Sequence, residues 1–379
     1  KEAIQAIGGI PYINKKWLDF LGLEVPRTVD ELEQVLIAFR DNADQLQQEF
    51  QIEGSVIPMS FIINNGDQDP AFLINGFGEG YGDTPDHFAV TDEGEVIYTA
   101  VQEGYKEGIQ WLHQLVEENL VDPEAFTQEW STYVAKGKNH RYGLCFTWDI
   151  ANIDNYDDYV MLPALAGPEG LVNITRQNNS ETSGFERGRC VLTTSCRDTA
   201  LAAAWIDQMY APLQSIQNNW GTYGEEGKPN IFEMSTNAEG EPMLKHLSLE
   251  GESPVEVRQA QSVNGPLAVL NDYYDVYVTQ PDDAKWRLDN MHEIYLEDMH
   301  SKYVYPNVFM SIDDTNLVSQ YDTDIKKYAD QKKADWILNG GIEEEWDEYL
   351  QKMEEYGLSD YLAIKQKYFD QYQESLSEE

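Results

Sequence analysis

The side chains in this sequence that could do chemistry are scattered rather than grouped. The six histidines, His87, His113, His140, His246, His292 and His300, include no pair four residues apart. That spacing is how a helix presents two imidazoles to zinc. Cys145, Cys190 and Cys196 supply no metal-binding pair either. Cys190 and Cys196 can form a disulfide only if the chain turns back within the five residues between them. Otherwise all three read as small buried apolar groups. No metal and no cofactor is expected. The sequence has no G-x-S-x-G elbow, no G-x-x-x-x-G-K-[ST] loop and no G-x-G-x-x-G after a strand. The usual nucleophile and phosphate frames are therefore missing. Gly76-Phe77-Gly78-Glu79-Gly80 opens no helix, carries no base and reads as a turn. Glycoside hydrolysis would need two carboxyls about 5 to 9.5 Å apart across a cleft. Asp149 with Asp154 or Asp157 can be named for it, but among 68 acidic residues closeness in sequence has almost no specificity.

A different kit is in good supply: Trp, Tyr, Asn, Gln and Asp at the ends of elements. The run Tyr142-Gly143-Leu144-Cys145-Phe146 reads as a buried strand and ends in Thr147-Trp148-Asp149. A strand that hands a flat ring and a carboxylate to a loop places them at the mouth of a sheet. The bland alternative is that Trp148 caps a core. Rings stack on the apolar faces of sugars, and planar amides and carboxylates take paired hydrogen bonds from vicinal hydroxyls. Asn64, Asn65, Trp130, Trp148, Asp149, Trp220 and Tyr223 have this character as a set. Taken singly, each fits a structural role better; as a cluster at element ends, the two readings weigh evenly.

The elements that must position these residues are read from periodicity and punctuation. Ile10 to Asn14 is strand-like, and Leu18 to Leu23 is a turn of helix stopped near Gly22. Thr28 with Glu31 forms a capping box ahead of Leu32, Val35, Leu36 and Phe39 at helical spacing. Residues 41–55 are polar and glutamine-rich, Val56 to Ile63 is a strand, and residues 64–70 are a loop. A hairpin is expected around Asp92-Glu93-Gly94. A helix over 101–119 turns Tyr105, Ile109, Leu112, Leu115 and Val116 to one side. Lys136 to His140 reads as a polar break before the strand at Tyr142. Leu162 to Leu165 and Arg189 to Thr194 are the next strand candidates. Leu201, Ala204, Trp205 and Met209 mark a helix, and Asn218 to Gly224 a turn. Residues 225–265 carry few element signals. After 284 the chain is mainly helical, with Ser359 as the cap of the last helix and Gly357 closing the one before it.

Composition narrows the classes. With 26 basic and 68 acidic residues the net charge is −42, which disfavours nucleic acid and anionic lipid surfaces as partners. Hydrophobic residues make up 41% and aromatics 12% of 379 residues, enough for two or more packed lobes. There is no run of about 18 apolar residues that would span a bilayer. The chain opens on Lys1 with no signal peptide, so a processed or truncated chain is expected.

Four blocks, in order, resemble the extracellular solute-binding proteins of bacterial ABC importers, in the subgroup of large lipoproteins that bind aldouronates or complex oligosaccharides. They are Tyr12 to Leu32, with Lys16-Trp17-Leu18-Asp19-Phe20-Leu21-Gly22-Leu23 leading to the capped helix; Tyr105 to Phe126, continuing to Trp148; Trp220-Gly221-Thr222-Tyr223-Gly224-Glu225-Glu226-Gly227-Lys228; and Asp324 through Gly341-Ile342-Glu343-Glu344-Glu345-Trp346 to Tyr368. The resemblance implies an α/β, periplasmic-binding-protein-like (type II) two-lobe fold with a helical C-terminal subdomain. The block around Trp17 starts early here, which implies an incomplete first lobe. The expected division is 1–225 as the second lobe, 226–300 as a hinge-crossing segment with a remnant of the first lobe, and 301–379 as the helical subdomain packed on the second lobe.

The function so implied is capture of an oligosaccharide, possibly one containing uronic acid, for delivery to the transmembrane subunits of a permease. Ligand contacts on both lobes favour the shut state, which the transporter reads. The protein would be a monomer, not an enzyme, held outside the cell by a lipidated N-terminal segment absent from this chain. Asp69 joins Asn64, Asn65 and Asp149 as a hydroxyl partner, and Arg187 can meet a carboxylate or form a surface ion pair. Some relatives carry a calcium loop after the capped helix; the run from Asp41 to Leu46 lacks its alternating oxygens, so no calcium is expected there. A carbohydrate-active enzyme using Asp149 and a nearby acid is the alternative, and an acidic adhesion module the third reading.

Overall fold

The computed structural model describes residues 9–78, 80–175, 190–227, 230–248, 254–262, 265–299 and 302–377. The chain divides into two compact units, Lys1–Phe185 with Asn290–Glu379, and Glu186–Asp289. The contact boundaries thus fall near 185 and 289, where the sequence reading drew them at 225 and 300.

The larger unit is built on a four-stranded sheet of order β2-β5-β1-β6. Its strands are β1 (Pro11–Asn14), β2 (Ile57–Met59), β5 (Tyr142–Phe146) and β6 (Tyr159–Met161). Strand β1 runs antiparallel to β5, with Tyr12 opposite Cys145, and antiparallel to β6. Strand β2 runs parallel to β5, with Met59 opposite Leu144. Every residue of β5 is buried, as expected of a strand covered on both faces. Gly143 is required there: a Cβ at this position would lie 2.4 Å from Phe39 Cδ2 and 2.7 Å from the Pro58 carbonyl oxygen.

Helices cover this sheet. Asn14 ends β1 and caps α1 (Lys15–Leu21) by accepting from the Trp17 amide at 3.1 Å; Gly22 then stops the helix in the left-handed region. Thr28 caps α2 (Val29–Asp41) by accepting from the Glu31 amide, and Glu31 accepts in return from the Arg27 amide at 2.7 Å. Val29, Leu32, Val35, Leu36 and Phe39 are its buried face. The glutamine-rich segment is also helical, α3 (Ala43–Phe50), with Leu46 buried. Leu46 and Phe50, four apart among polar residues, are too short a pattern to read from sequence. The expected hairpin forms as β3 (Phe88–Val90) and β4 (Val96–Tyr98), followed by α4 (Glu103–Glu117).

Two expectations near β5 need correction. Trp130–Lys138 is a helix, α5, so the polar break Lys136-Gly137-Lys138 is its last turn. The strand placed at Leu162 to Leu165 is in fact the preceding triplet, β6. Val191 to Thr194 forms no strand, and Arg189 lies outside the described residues. Cys145 is buried as expected, but Cys190 is exposed and Cys196 half-buried.

In the smaller unit, α6 (Thr199–Met209) leaves Leu201 and Trp205 exposed, and α7 (Pro212–Trp220) precedes the hairpin of β7 (Phe232–Thr236) and β8 (Pro242–His246). Its core is Ile216, Ile231, Phe232, Leu244 and Val278. This hairpin and α8 (Pro254–Gln261) fall in the stretch that had few element signals. Helix α9 (Asp282–Tyr295) carries the chain back to the larger unit.

The helical C-terminus packs within the larger unit: α10 (Ile312–Asn339), α11 (Ile342–Glu355) and α12 (Leu358–Ser377). Ile325, Ala329, Trp336, Trp346, Tyr349 and Met353 join the same core as the residues around the sheet. Ser359 does not cap α12. Its hydroxyl donates to Glu354 instead.

Candidate functional site

Because β2 and β5 are parallel neighbours, the loops that follow them leave from one end of the sheet. In open α/β sheets ligands bind outside the carboxyl ends of parallel strands. Thr147, next after β5, donates its amide to the Ile10 carbonyl at 3.1 Å, so the entry to β1 lies at this end too. Trp148 follows, half-buried, with its carbonyl accepting from the Tyr12 hydroxyl at 3.3 Å. Asp149 is buried, and its carboxylate caps a short turn at Ile150–Asn152 by accepting from the Ala151 amide at 3.0 Å.

The loop after β2 is closed by its own backbone. Ile62 donates to Gln68, Gln68 to Asn65, and Ile63 to Ala125. Asn64 sits at φ 57°, in the left-handed region that Asn tolerates. Its side-chain amide donates to the Asp330 carbonyl at 2.9 Å, so this group is already engaged. Asn65 and Gly66 at the tip are exposed. Asn64 also borders an open depression of about 510 Å³ lined by Phe126, Lys326, Asp330 and Gln331.

Trp130 reaches the same end through Tyr133. The two rings lie 6.2 Å apart, and the Tyr133 hydroxyl donates to the Phe146 carbonyl at 3.1 Å and accepts from the Phe146 amide. The Tyr133 hydroxyl also lies 3.2 Å from the Ser60 carbonyl, just past β2. Of the expected residues, Asn64, Asn65, Asp69, Trp130, Trp148 and Asp149 therefore belong to this one end of the sheet. In the smaller unit, Trp220 ends α7 and packs its half-buried ring against Phe232, His246 and Tyr274. Tyr223 is exposed. Arg187 lies outside the described residues.

Beneath the end of the sheet are charged groups of which only Asp69 was singled out as a site residue in the sequence. Lys333 of α10 is buried and reaches Asp69 at 2.7 Å and Asp83 at 3.0 Å, both carboxylates fully buried. Asp83 also accepts from the Thr99 hydroxyl at 2.8 Å and pairs with the His87 Nδ1 at 2.7 Å, while the His87 Nε2 faces Asp330 at 3.2 Å. Burial opposes charge on Asp83, His87, Asp330 and Lys333, but their partners outweigh it. Asp83, next to His87 and Lys333, is held below the usual carboxylate range. Asp330 is lowered by its hydrogen bond to His87. His87 is raised by Asp83 and Asp330, and Lys333 by Asp69 and Asp83. The signal in the sequence was a lysine on an apolar stripe: Ile325, Ala329, Lys333 and Trp336 are the buried face of α10.

A second buried cation, Lys136, meets Asp122 at 2.6 Å and Gln128 at 2.9 Å. Gln128 in turn donates to the Phe61 carbonyl and the Ser60 hydroxyl. The carboxylates named for hydrolysis share no open face. Asp154 is buried, which raises its pKa against the pull of His140. It holds His140 at 2.8 Å and accepts from the Tyr159 hydroxyl, which also donates to Tyr142 at the start of β5. Asp149 follows the end of that strand, and Asp157 is exposed. Among the described residues no group of three or more His, Cys, Asp or Glu has the geometry to hold a metal ion.

A parallel-strand end that presents rings and amides, on this α/β frame, is the arrangement of solute-binding proteins. No family model matches the sequence. The chain is 46% identical over 374 residues to the fructooligosaccharide ABC transporter substrate-binding protein FusA of Streptococcus pneumoniae serotype 4 (strain ATCC BAA-334 / TIGR4), covering 98% of this chain and 67% of that protein. The chain belongs to the substrate-binding proteins of ABC transporters. The solved structure of FusA in complex with kestose matches 98% of this chain and 74% of that one, with a TM-score of 0.88. An HMO binding ABC-transporter associated solute binding protein from Bifidobacterium longum infantis ATCC 15697, 23% identical with a TM-score of 0.72 over 97% of this chain and 75% of that one, shows the same fold. Lipoprotein LipO of Bacillus subtilis (strain 168) is 26% identical over 58% of this chain and 44% of its own length. The fold is thus the two-lobe, type II α/β fold. No helix among the described residues is long and apolar enough to cross a membrane.

Proposed function

We propose that this chain is the extracellular solute-binding component of an ABC importer that captures an oligosaccharide of the fructooligosaccharide class and passes it to the permease subunits. The observation that carries this reading is the end of the sheet at β2 and β5, where Trp130 and Trp148 stand with the exposed amide of Asn65. It lies in a chain 46% identical to FusA. Rings beside polar groups suit a neutral, hydroxyl-rich chain. Trp148 is the stacking ring, and Trp130 and Tyr223 are further candidate platforms. The larger unit acts as one lobe, with 301–379 as its helical subdomain. The protein works as a monomer, without metal, cofactor or hydrolytic activity, held at the outer face of the membrane by a lipid anchor. A uronic acid would call for a cation such as Arg187.

The test is a thermal-shift and calorimetric comparison of kestose with an aldouronate of equal length. Kestose at a hundred times its Kd stabilises the protein by about 2.7 kcal/mol. Trp148→Ala weakens it at least about tenfold, or ~1.4 kcal/mol. Unchanged affinity in that variant removes the site, preferential binding of the aldouronate removes the ligand class, and release of free sugar on long incubation favours the enzyme.

A further inference from the structure

The loop after β2 presents Asn65 at the binding end of the sheet, and its shape is fixed from beneath by Asp69. One carboxylate oxygen accepts from the Asn64 amide at 2.8 Å, the other from the Ala71 amide at 2.9 Å, so a single side chain ties the start of the loop to its end. Asp69 is fully buried, and the cation that compensates it, Lys333, comes from α10, 264 residues further along the chain. The same helix holds the loop a second time, where Asn64 donates to the Asp330 carbonyl. A neutral side chain at 333 leaves Asp69 and Asp83 without their shared counter-charge in a site closed to water. The Asp69 carboxylate, a buried charge left without its counter-charge, then turns toward solvent, which releases the amides of Asn64 and Ala71.

We propose that Lys333 is a positioning residue for the sugar site: acting through Asp69, it sets the conformation of residues 64–71, and ligand affinity is controlled from α10. This deepens the reading above and rests on it. Lys333 touches no ligand in this scheme, so its effect travels by one contact.

The experiment compares Lys333→Met, Lys333→Arg, Asp69→Asn and Trp148→Ala, each as the full chain. Two quantities are read, the Kd for kestose and amide hydrogen exchange across the larger unit. Lys333→Met is expected to weaken kestose at least tenfold and to speed exchange at residues 64–71 more than at β1 and β5. Lys333→Arg keeps the charge and stays within about threefold of the parent. Lys333→Met combined with Asp69→Asn loses little beyond the worse single variant, because both act through one contact. Folded Lys333→Met with kestose affinity within twofold of the parent, or with exchange raised evenly over the unit, overturns the positioning role. If Lys333→Met does not fold, Asp69→Asn decides by the same two readings. Loss with Trp148→Ala alone overturns only the positioning; no loss in either, or no kestose binding by the parent chain, overturns the site itself.

Discussion

The stability of the larger unit depends on a lysine with no access to water, and the size of that dependence can be stated in advance. Lys333 is 1% exposed and contacts two carboxylates that are 0% exposed. Removing one partner of a buried ion pair costs about 3–5 kcal/mol, because the remaining charge is left uncompensated. An exposed pair is worth about 0–1 kcal/mol. Lys333→Met retains most of the apolar stem, so cavity formation adds little and the loss is electrostatic. The prediction is a loss of about 3 kcal/mol or more in denaturant unfolding of the larger unit. Two further variants locate the effect. Lys333→Met with both Asp69→Asn and Asp83→Asn should recover most of the loss, since neutral amides need no counter-charge. The Asp83→Asn change alone should cost less than Lys333→Met, because Lys333 keeps Asp69. The assay is urea unfolding followed by fluorescence and by hydrogen exchange at β1 and β5, which separates the larger unit from the smaller. A loss below about 1 kcal/mol for Lys333→Met, or no recovery in the triple variant, refutes the argument that Lys333 compensates these two acids.

Three other outcomes follow from the same structure. The larger unit loses stability at both ends of the pH range. Asp83 and Asp330 are lowered in the folded state, so their contribution is present above the ordinary carboxylate pKa and is lost as pH falls through their folded values. His87 is raised, so its contribution is full below about 6.5 and is lost as pH rises through its folded value. His87→Gln should flatten the alkaline limb of the melting-temperature profile and also weaken the acid limb, because His87 is the partner that lowers Asp330 and, with Lys333, Asp83. Gly143→Ala drives a Cβ to within 2.4 Å of Phe39 and should cost about 1–3 kcal/mol by thermal unfolding, with a Phe39→Leu change giving part of it back. Thiol titration of the native, reduced protein should count two fast cysteines, Cys190 and Cys196, with Cys145 appearing only in denaturant, because burial also pushes its thiol pKa up.

Much of the larger unit was legible because its elements are local and strongly marked. The Thr28–Glu31 box, the apolar spacing of Leu32 to Phe39 and the buried run ending in Trp148 each carry their own signal. What was lost had weaker local marks or none. Helix α3 buries a single residue, and α5 begins at Trp130 with no side-chain cap and ends in lysines that look like a loop. The β7–β8 hairpin is largely exposed along β7, so it lacks the apolar alternation that betrays a strand. Trp148 and Asn65 could be proposed from strand-end logic, but that β2 and β5 are parallel neighbours cannot be read from residue order. Asp69 was named for contact with hydroxyls; its commitment to Lys333 is a long-range fact that no window of sequence contains.

The charge balance gives these buried lysines a meaning that composition alone does not. A chain with 68 acidic and 26 basic residues repels itself, and the compact state bears that cost most where carboxylates are forced together. Two of the few cations sit inside, Lys333 between Asp69 and Asp83, and Lys136 against Asp122 and Glu124. Both lie next to the loops that follow the parallel strands: Lys333 holds the 64–71 segment, and Lys136 holds Gln128, which braces Ser60 and Phe61. Acid-rich loops would otherwise swing outward. The interior cations tie the backbone of these loops to the packed interior. Charges exposed at the surface are screened by the salt of the medium over about 10 Å at 0.1 M. These two are out of reach of that screening, so the loops they hold keep their geometry when the surface charge pattern does not.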